Sequence, residues 1–318
     1  MTPDDNLAIE VRGLARRFGD VQAVDGVDFG VRKGELFGFL GPNGAGKTTT
    51  VRMLTGVLDA SDGTGTIQNH DIRTEALLSR AHLGVVPEEA NVYLDMSVWR
   101  NLMLMAELHG VPRRQRIREG ERLLEALGLA DRKGHKARTL SKGLRQRLML
   151  CAALVTGPEI LFLDEPTSGL DVASARLIRQ IVRELNGDGL TVFLTTHNMD
   201  EAEEMCSRVA IINRGCIVAI DTPEQLRSAM RSSQYLEVAL AGGQINSAEL
   251  ERLPGTLRVS RDGNRVRIYG EQPGRLAMEV ARLAEARGLE IAHLCTRKPS
   301  LEDVFLYFTG ERAQELPR

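Results

Sequence analysis

The stretch from Gly41 to Thr48, Gly-Pro-Asn-Gly-Ala-Gly-Lys-Thr, constrains this chain more than any other. It fits the pattern Gly, four residues, Gly-Lys-Thr. Glycines at these positions let successive backbone N–H groups turn toward one centre and form an anion nest without Cβ clashes. Before it, Glu35 to Leu40 is mostly apolar, a length suited to a buried strand; after it, Thr49 to Gly56 carries Val51, Met53 and Leu54, as the opening of a helix does. A phosphate-binding loop needs that strand–loop–helix context, and the helix N-terminus adds its partial positive charge. Residues Asn43, Gly44, Ala45, Gly46, Lys47, Thr48 and Thr49 are therefore expected to hold a nucleotide by its phosphates, which alone leaves kinases, GTPases and motors open. Lys47 would reach the outer phosphates, and the Thr48 hydroxyl would ligate Mg²⁺. An accidental match by a Gly-rich turn has roughly one chance in a hundred at average residue usage.

The chain of 318 residues is long enough for one large domain and a smaller one. Net charge is −2, which gives no bulk pull toward nucleic acid. The longest apolar run, Leu148 to Val155, is far shorter than a membrane span. Met1 to Asn6 is polar and acidic, unlike a secretory signal. Cys151, Cys206, Cys216 and Cys295 show no Cys-x-x-Cys spacing and fit small hydrophobes in a reducing compartment. A cytoplasmic location is expected.

Along the chain, Ile9 and Val11, then Val24, Val27, Phe29 and Val31, alternate with polar residues as antiparallel strands do, with a turn read at Arg16 to Gly19. This piece should lie over the nucleotide-binding layer. Asp59 to Gly65 reads as a loop and Leu83 to Val86 as a core strand. Ser97 to Gly110 and Arg113 to Gly128 read as helices; the basic run of Arg113, Arg114, Arg116 and Arg118 is expected to be a solvated face. A helical run from Arg145 to Val155 precedes the apolar strand Ile160 to Leu163, which ends in Asp164-Glu165. Ala173 to Leu185 is a further helix, Val192 to Leu194 a strand ending near His197, and Val209 to Ile212 and Ile217 to Ile220 complete the alternation. The expected class is α/β, a phosphate-loop NTPase core with a mainly parallel sheet and helices on both faces. Antiparallel β and helical subdomains should be built onto it. The expected divisions are an ATPase domain over 6–221 with a helical subdomain at about 88–157, a linker helix over 222–234, and a C-terminal α+β domain over 235–310. In that last part Leu236, Val238 and Leu240, and Val266 and Ile268, alternate; Arg275 to Arg287 is a helix; and Ser300 with Asp303 forms a capping box. No chemistry is legible in it.

Asp164, at the end of its strand, can hold Mg²⁺ through water, and Glu165 can activate the attacking water as general base. An acidic turn between strand and helix is the plain alternative, and the upstream phosphate loop disfavours it. His197 ends a strand at the same edge, where a γ-phosphate contact is expected. Taken together, these pieces resemble the ATP-binding-cassette (ABC) ATPases over about residues 6 to 221, with the motifs in the family's order. Gly41 to Thr48 resembles the Walker A motif, Leu140 to Leu144 the signature loop, Ile160 to Glu165 the Walker B motif, Ser168 to Asp171 the D-loop and His197 the switch histidine.

The resemblance implies further roles. Phe18 stands where the family stacks an aromatic on adenine. Glu88 stands where the family commonly has a Gln that senses Mg²⁺ and meets the membrane partner, so here a carboxylate replaces an amide. Lys142 and Leu144 stand where Gly and Gln are commonest, while Ser141 and Gly143, which face the nucleotide in the family, are kept. One copy of each motif implies a dimer, with the signature loop of one subunit, carrying Ser141 and Gly143, completing the ATP site of the other; Asp171 is implied as a further nucleotide-binding residue. A separate transmembrane permease is implied, with no nucleic-acid partner. Pro299 to Phe305 is similar to the C-terminal module of multidrug and antibiotic exporter ATPases of the daunorubicin-resistance type. The competing class is a soluble ABC ATPase acting on ribosomes or DNA, or a maturation or regulatory ATPase. The ribosome and DNA types usually carry two cassettes, or long coiled-coil or zinc insertions, and neither feature is present.

Overall fold

A computed structural model describes residues 6–89, 91–228, 234–241, 243, 245–263, 265–270, 272–297 and 300–309. The chain divides into two compact units, Met1–Ile220 and Asp221–Arg318.

The first unit runs β1 (Leu7–Phe18), β2 (Val21–Arg32), β3 (Leu36–Leu40), α1 (Lys47–Leu54), β4 (Asp62–Ile67), β5 (His70–Asp71), α2 (Ala76–Ala81) and β6 (Leu83–Val86). It continues with α3 (Val98–Leu108), α4 (Arg113–Ala126), α5 (Lys142–Leu154), β7 (Ile160–Asp164), α6 (Val172–Gly187), β8 (Thr191–Thr196), α7 (Met199–Met205), β9 (Arg208–Asn213) and β10 (Cys216–Asp221). Every residue of β3, β7 and β8 is buried, the pattern of strands covered on both faces. They form the middle of a six-stranded sheet of order β10-β9-β3-β8-β7-β6, parallel from β9 to β6. β9 turns back into β10 through Arg214 and Gly215, both at positive φ, as a two-residue hairpin requires.

A second sheet, β2-β1-β4-β5, is antiparallel and lies over the first. What joins them is aromatic: Phe29 from β2 meets Phe37, Phe39 and Phe193 at ring-centroid distances of 5.5–5.9 Å, and Phe162 meets Phe193 at 5.1 Å. Five of the chain's eight phenylalanines thus sit in one cluster, so the scarce aromatic content is spent on fixing the two sheets face to face. α3, α4 and α5 pack on one another as a helical subdomain. Four helices of the first unit open on a residue whose side chain accepts a backbone N–H: Ser97, Ser141, Asp171 and Asn198.

Three readings of the sequence need correction. Asp59 to Gly65 is not all loop, since β4 begins at Asp62 and pairs with β1. Its glycines hid the alternation, and one of them is obligatory: a Cβ on Gly63 would lie 2.1 Å from the Gly13 carbonyl oxygen. The helix after the signature segment starts at Lys142 rather than Arg145, because Ser141 caps it. Arg16 to Phe18 belong to β1, and the turn falls at Gly19 and Asp20. α2 and β5 gave no readable signal. Cys151 and Cys206 are buried, and burial pushes the Cys151 thiol up to about 12 and Cys206 further still, so both act as small apolar groups. Cys216 is exposed instead.

The second unit comprises α8 (Pro223–Ser228), β11 (Tyr235–Ala241), α9 (Ser247–Glu251), β12 (Arg258–Asp262), β13 (Arg265–Tyr269), α10 (Pro273–Ala286), β14 (Glu290–Arg297) and α11 (Leu301–Thr309). From β11 to β14 this is a β-α-β-β-α-β unit whose antiparallel sheet has the order β12-β13-β11-β14, the split arrangement of ferredoxin-like folds. Leu236, Val238 and Leu240 of β11 meet Val266, Ile268, Leu276 and Val280 in its own core. β14 is mostly exposed and carries no clean alternation, which is why it was not legible. Residues 229–233 of the expected linker helix, and Gly310, the last residue of the expected C-terminal domain, lie outside the described residues.

The capping box at the start of α11 is reciprocal. The Ser300 backbone N–H donates to Asp303 Oδ2 at 3.0 Å, and the Asp303 N–H donates to Ser300 Oγ at 3.2 Å. Ser300→Ala removes one of these bonds and should cost about 1 kcal/mol in the second unit. Urea unfolding of the variant chain measures it, with ATP binding expected unchanged.

Candidate nucleotide-binding and hydrolysis site

β3 ends at Leu40, and the chain turns through Gly41 to Gly46 into α1. The turn is squeezed on two sides. A Cβ on Gly41 would lie 2.3 Å from the Ile212 carbonyl oxygen of β9, and one on Gly46 would lie 2.6 Å from the Ala23 carbonyl oxygen of β2. Gly46 also has φ 110°, a backbone that side chains rarely adopt. The loop therefore keeps its backbone close to its neighbours and presents N–H groups outward at the N-terminus of α1. Ala23, Asn43, Gly44, Gly46, Lys47, Thr48, Thr49, Glu88 and Glu165 line a cavity of about 330 Å³ above it. Ala45 is 3% exposed and packs into the core beneath.

Lys47 is buried, and its ammonium donates to the carbonyls of Gly41 at 2.8 Å and Pro42 at 3.2 Å. It lies 3.1 Å from Glu165 Oε1, an ion pair with both side chains 6% exposed. Oε1 has no hydrogen bond of its own, so charge alone holds it there. Glu165 Oε2 is 2.7 Å from His197 Nδ1 and accepts the His197 backbone N–H at 3.3 Å. With Glu165 ionised, the proton of that short contact sits on Nδ1. Glu165 has φ 50°, rare outside glycine, and its N–H donates to Thr195 on both the carbonyl and the hydroxyl oxygen, at 3.1 Å each. The same Thr195 hydroxyl donates to Asp164 Oδ1. β7 and β8 are adjacent and parallel, with Asp164 opposite Thr195, so this threonine orients both carboxylates.

The fold thus brings Lys47, Thr48, Glu88, Asp164, Glu165 and His197 to the carboxyl ends of β3, β6, β7 and β8, the edge where open α/β sheets carry sites. Asp164 and His197 stand next to Glu165 but are not among the residues lining that cavity, and Ser141, Gly143, Asp171 and Phe18 are not in its lining either. Ser141 caps α5, its hydroxyl accepting from the Leu144 N–H at 3.3 Å, and Asp171 caps α6 and accepts from Ser174. These two helix starts touch: a Cβ on Gly143 would lie 2.6 Å from Ser174 Oγ, and Lys142 Nζ donates to the Ser168 carbonyl at 2.6 Å. Phe18 is half exposed, with the Arg16 guanidinium 4.6 Å from its ring centre. Sequence reasoning missed Ala23, Thr195 and Thr196. The paired threonines at the end of an apolar strand were the available signal. Thr48, Glu88 and Asp164 carry hard oxygen donors of the kind Mg²⁺ takes.

A parallel-sheet core with a glycine loop at a helix start, a buried Lys47–Glu165 pair and a histidine against that carboxylate defines a nucleoside-triphosphate hydrolase. Comparison with known proteins narrows the class. The family described as ABC transporter matches residues 24–168, and that described as ATP-binding protein DrrA1-3-like, C-terminal domain, matches 222–309. The daunorubicin resistance ATP-binding protein DrrA3 of Streptomyces coeruleorubidus is 36% identical over 306 residues, 96% of each chain. The Nod factor export ATP-binding protein I of Ralstonia nicotianae is 34% identical over 307 residues, 96% of this chain and 95% of that one. The solved structure of an ATP binding subunit of an ABC transporter superposes with a TM-score of 0.64 at 26% identity, covering 70% of this chain and 92% of that one. The chain belongs to the ATP-binding subunits of ABC transporters and is an ATPase.

Gly46→Ala tests the loop. The added methyl group meets the Ala23 carbonyl, and the backbone strain alone is worth about 1–3 kcal/mol. Equilibrium ATP binding should weaken sharply, and calorimetry should show a lower Tm.

Proposed function

We propose that the chain is the ATP-hydrolysing subunit of an ABC exporter, working as a dimer on a separate membrane permease. The observation that carries the hydrolytic part is the meeting of Lys47, Glu165 and His197 at one strand edge. The relatives named for daunorubicin resistance and Nod factor export support the direction of transport.

ATP phosphates enter the cavity against the N–H groups of Asn43 to Thr49. Lys47 already divides its ammonium between Glu165 and two carbonyls. A phosphate chain offers it a stronger acceptor, and its shift toward that acceptor leaves Glu165 Oε1 open to a water proton. Glu165 then acts as general base. His197 holds the other carboxylate oxygen, and its half-exposed ring is the group that meets the γ-phosphate. Thr48, Glu88 and Asp164 would hold Mg²⁺, which neutralises phosphate charge when bound. Phe18 offers its exposed face to the adenine.

Ser141 and Gly143 stand at the N-terminus of α5, away from this chain's own cavity lining, beside the α6 start capped by Asp171. A site completed by a second chain gives both helix starts a use, with α5 directing its N–H groups at the γ-phosphate of the partner. The permease has a candidate seat of about 300 Å³ beside α3 and α5, lined by Val57, Val85, Pro87, Tyr93, Met105 and Met149 among others. Val57 and Tyr93 are 74% and 52% exposed there, more than isolated surface apolar residues need. No helix among the described residues is long and apolar enough to cross a membrane. In this reading the permease supplies the spans and the chain docks on its cytoplasmic face. The second unit, with its own core and no nucleotide-binding constellation among its described residues, serves assembly.

Glu165→Gln should keep ATP binding and lose roughly 10²–10⁴-fold in turnover, because the amide cannot take the proton. Lys47→Ala should instead weaken binding itself, read by equilibrium titration with ATP. Near-normal turnover in Glu165→Gln defeats the assigned role. Ser141→Arg should abolish hydrolysis alone, and mixing it with Lys47→Ala chains should restore at most one intact site per mixed dimer. Normal hydrolysis by Ser141→Arg in complex with the permease defeats the shared site.

A further inference from the structure

Behind the cavity lies a carboxylate that none of the steps above uses. Glu201, in the first turn of α7, is 1% exposed and is not among the residues lining the cavity. Each of its oxygens accepts one hydroxyl: Oε1 from Thr167 at 2.8 Å and Oε2 from Thr196 at 2.7 Å. The positions of those threonines matter. Thr167 is two residues beyond Glu165, on the turn that leaves β7. Thr196 is the last residue of β8, immediately before His197. One buried carboxylate therefore bridges the two segments whose ends make the 2.7 Å Glu165–His197 contact.

The bridge extends further. The Thr196 hydroxyl also accepts the Asn198 N–H at 3.0 Å, and Asn198 in turn caps α7 by accepting the Glu201 N–H at 3.1 Å. The Thr196 carbonyl accepts the N–H of Gly41, the first residue of the phosphate loop, at 3.2 Å. Three separate pieces of chain, after β7, after β8 and after β3, are thus tied around one side chain. An apolar residue would fill the same volume without the desolvation cost of a carboxylate, but it could not hold two hydroxyls at fixed positions. Burial raises the pKa of Glu201 against the opposing hydrogen bonds from Thr196 and Thr167. The nearby Arg179 also lowers it, and Glu165 adds to the rise. The group is under electrostatic load from the site it braces.

We propose that Glu201 is a positioning residue for ATP hydrolysis: by tying Thr167 to Thr196 it holds the Glu165 carboxylate against His197 and fixes where Glu165 accepts the proton of water. This rests on the reading of Glu165 as general base. The turn at Glu165 needs such a brace, because a non-glycine residue at φ 50° stays there only when its surroundings over-determine it.

The test compares Thr167→Val, which keeps the shape and removes the hydroxyl, with Thr167→Ser, which keeps the hydroxyl, in the full chain and alongside Glu201→Gln. Thr167→Val should lower kcat by about tenfold or more, since a misplacement near 1 Å can cost about 10²-fold, while KM for ATP stays unchanged. Thr167→Ser should restore kcat, and Glu201→Gln, which keeps one acceptor oxygen, should fall between. In a Glu165→Gln background, Thr167→Val should add nothing, because its effect runs through Glu165. Equal kcat for the Val and Ser variants, a loss confined to KM, or a further loss on top of Glu165→Gln would overturn the inference. Loss in Glu165→Gln with none in Thr167→Val overturns it alone. Full turnover in Glu165→Gln removes the general-base reading, and the inference with it.

Discussion

The closeness of backbone to backbone around the phosphate loop is the constraint on which the rest of the first unit depends. Gly41 runs against the carbonyl of Ile212, and Gly46 against that of Ala23, with no room for a Cβ at either. Those two contacts come from different sheets: Ile212 from parallel β9 and Ala23 from antiparallel β2. The loop is therefore clamped between the two layers. The phenylalanine cluster joins those same two layers. An anion nest works only if its N–H groups are already aimed, and packing against both layers holds the backbone of this loop in place.

The acidic end of the site is arranged by threonines. Thr195 fixes Asp164 and the Glu165 N–H, and Thr196 reaches back to Glu201 and, through its carbonyl, to Gly41. Both lie at the end of one strand, and because side chains alternate, they point to opposite faces of the sheet. One hydroxyl therefore serves Asp164 and the Glu165 N–H, and the other serves the buried Glu201. Hydroxyls suit this work: each can donate to a carboxylate and accept a backbone N–H at once. A charged pair in place of either would add a desolvation cost to a site that already buries Lys47 and Glu165.

The second unit follows a different logic. Its β-α-β-β-α-β order closes a hydrophobic core between one sheet face and α9 and α10. Glu237 on β11 is buried on that strand, ion-paired with Arg265 at 3.1 Å and Arg267 at 3.7 Å, with His293 Nε2 3.5 Å away. Such a cluster secures strand pairing and offers none of the loop geometry found around Lys47. The glycine loop and the Lys47–Glu165 pair lie in the first unit, while the second carries a fold of its own.

Much of the site was legible in the sequence because its chemistry is local. Gly41 to Thr48, Asp164-Glu165 and the Ser300–Asp303 cap each lie within a few residues, so residue type and spacing suffice to name them, and the buried runs of β3, β7 and β8 mark a parallel core. Where a strand lacked that pattern the sequence was silent or misleading. β4 is built on glycines that approach β1, and β14 is an exposed edge, so neither carries a clean alternation. The partners of each functional group were beyond reach for a related reason. Glu201 meets Thr167 across 34 positions and Lys47 meets Glu165 across a still longer separation, contacts that exist only once β3, β7 and β8 lie side by side. The sequence determined which groups are available. Sheet order, set by burying the phenylalanines and valines of both layers, decided which of them touch.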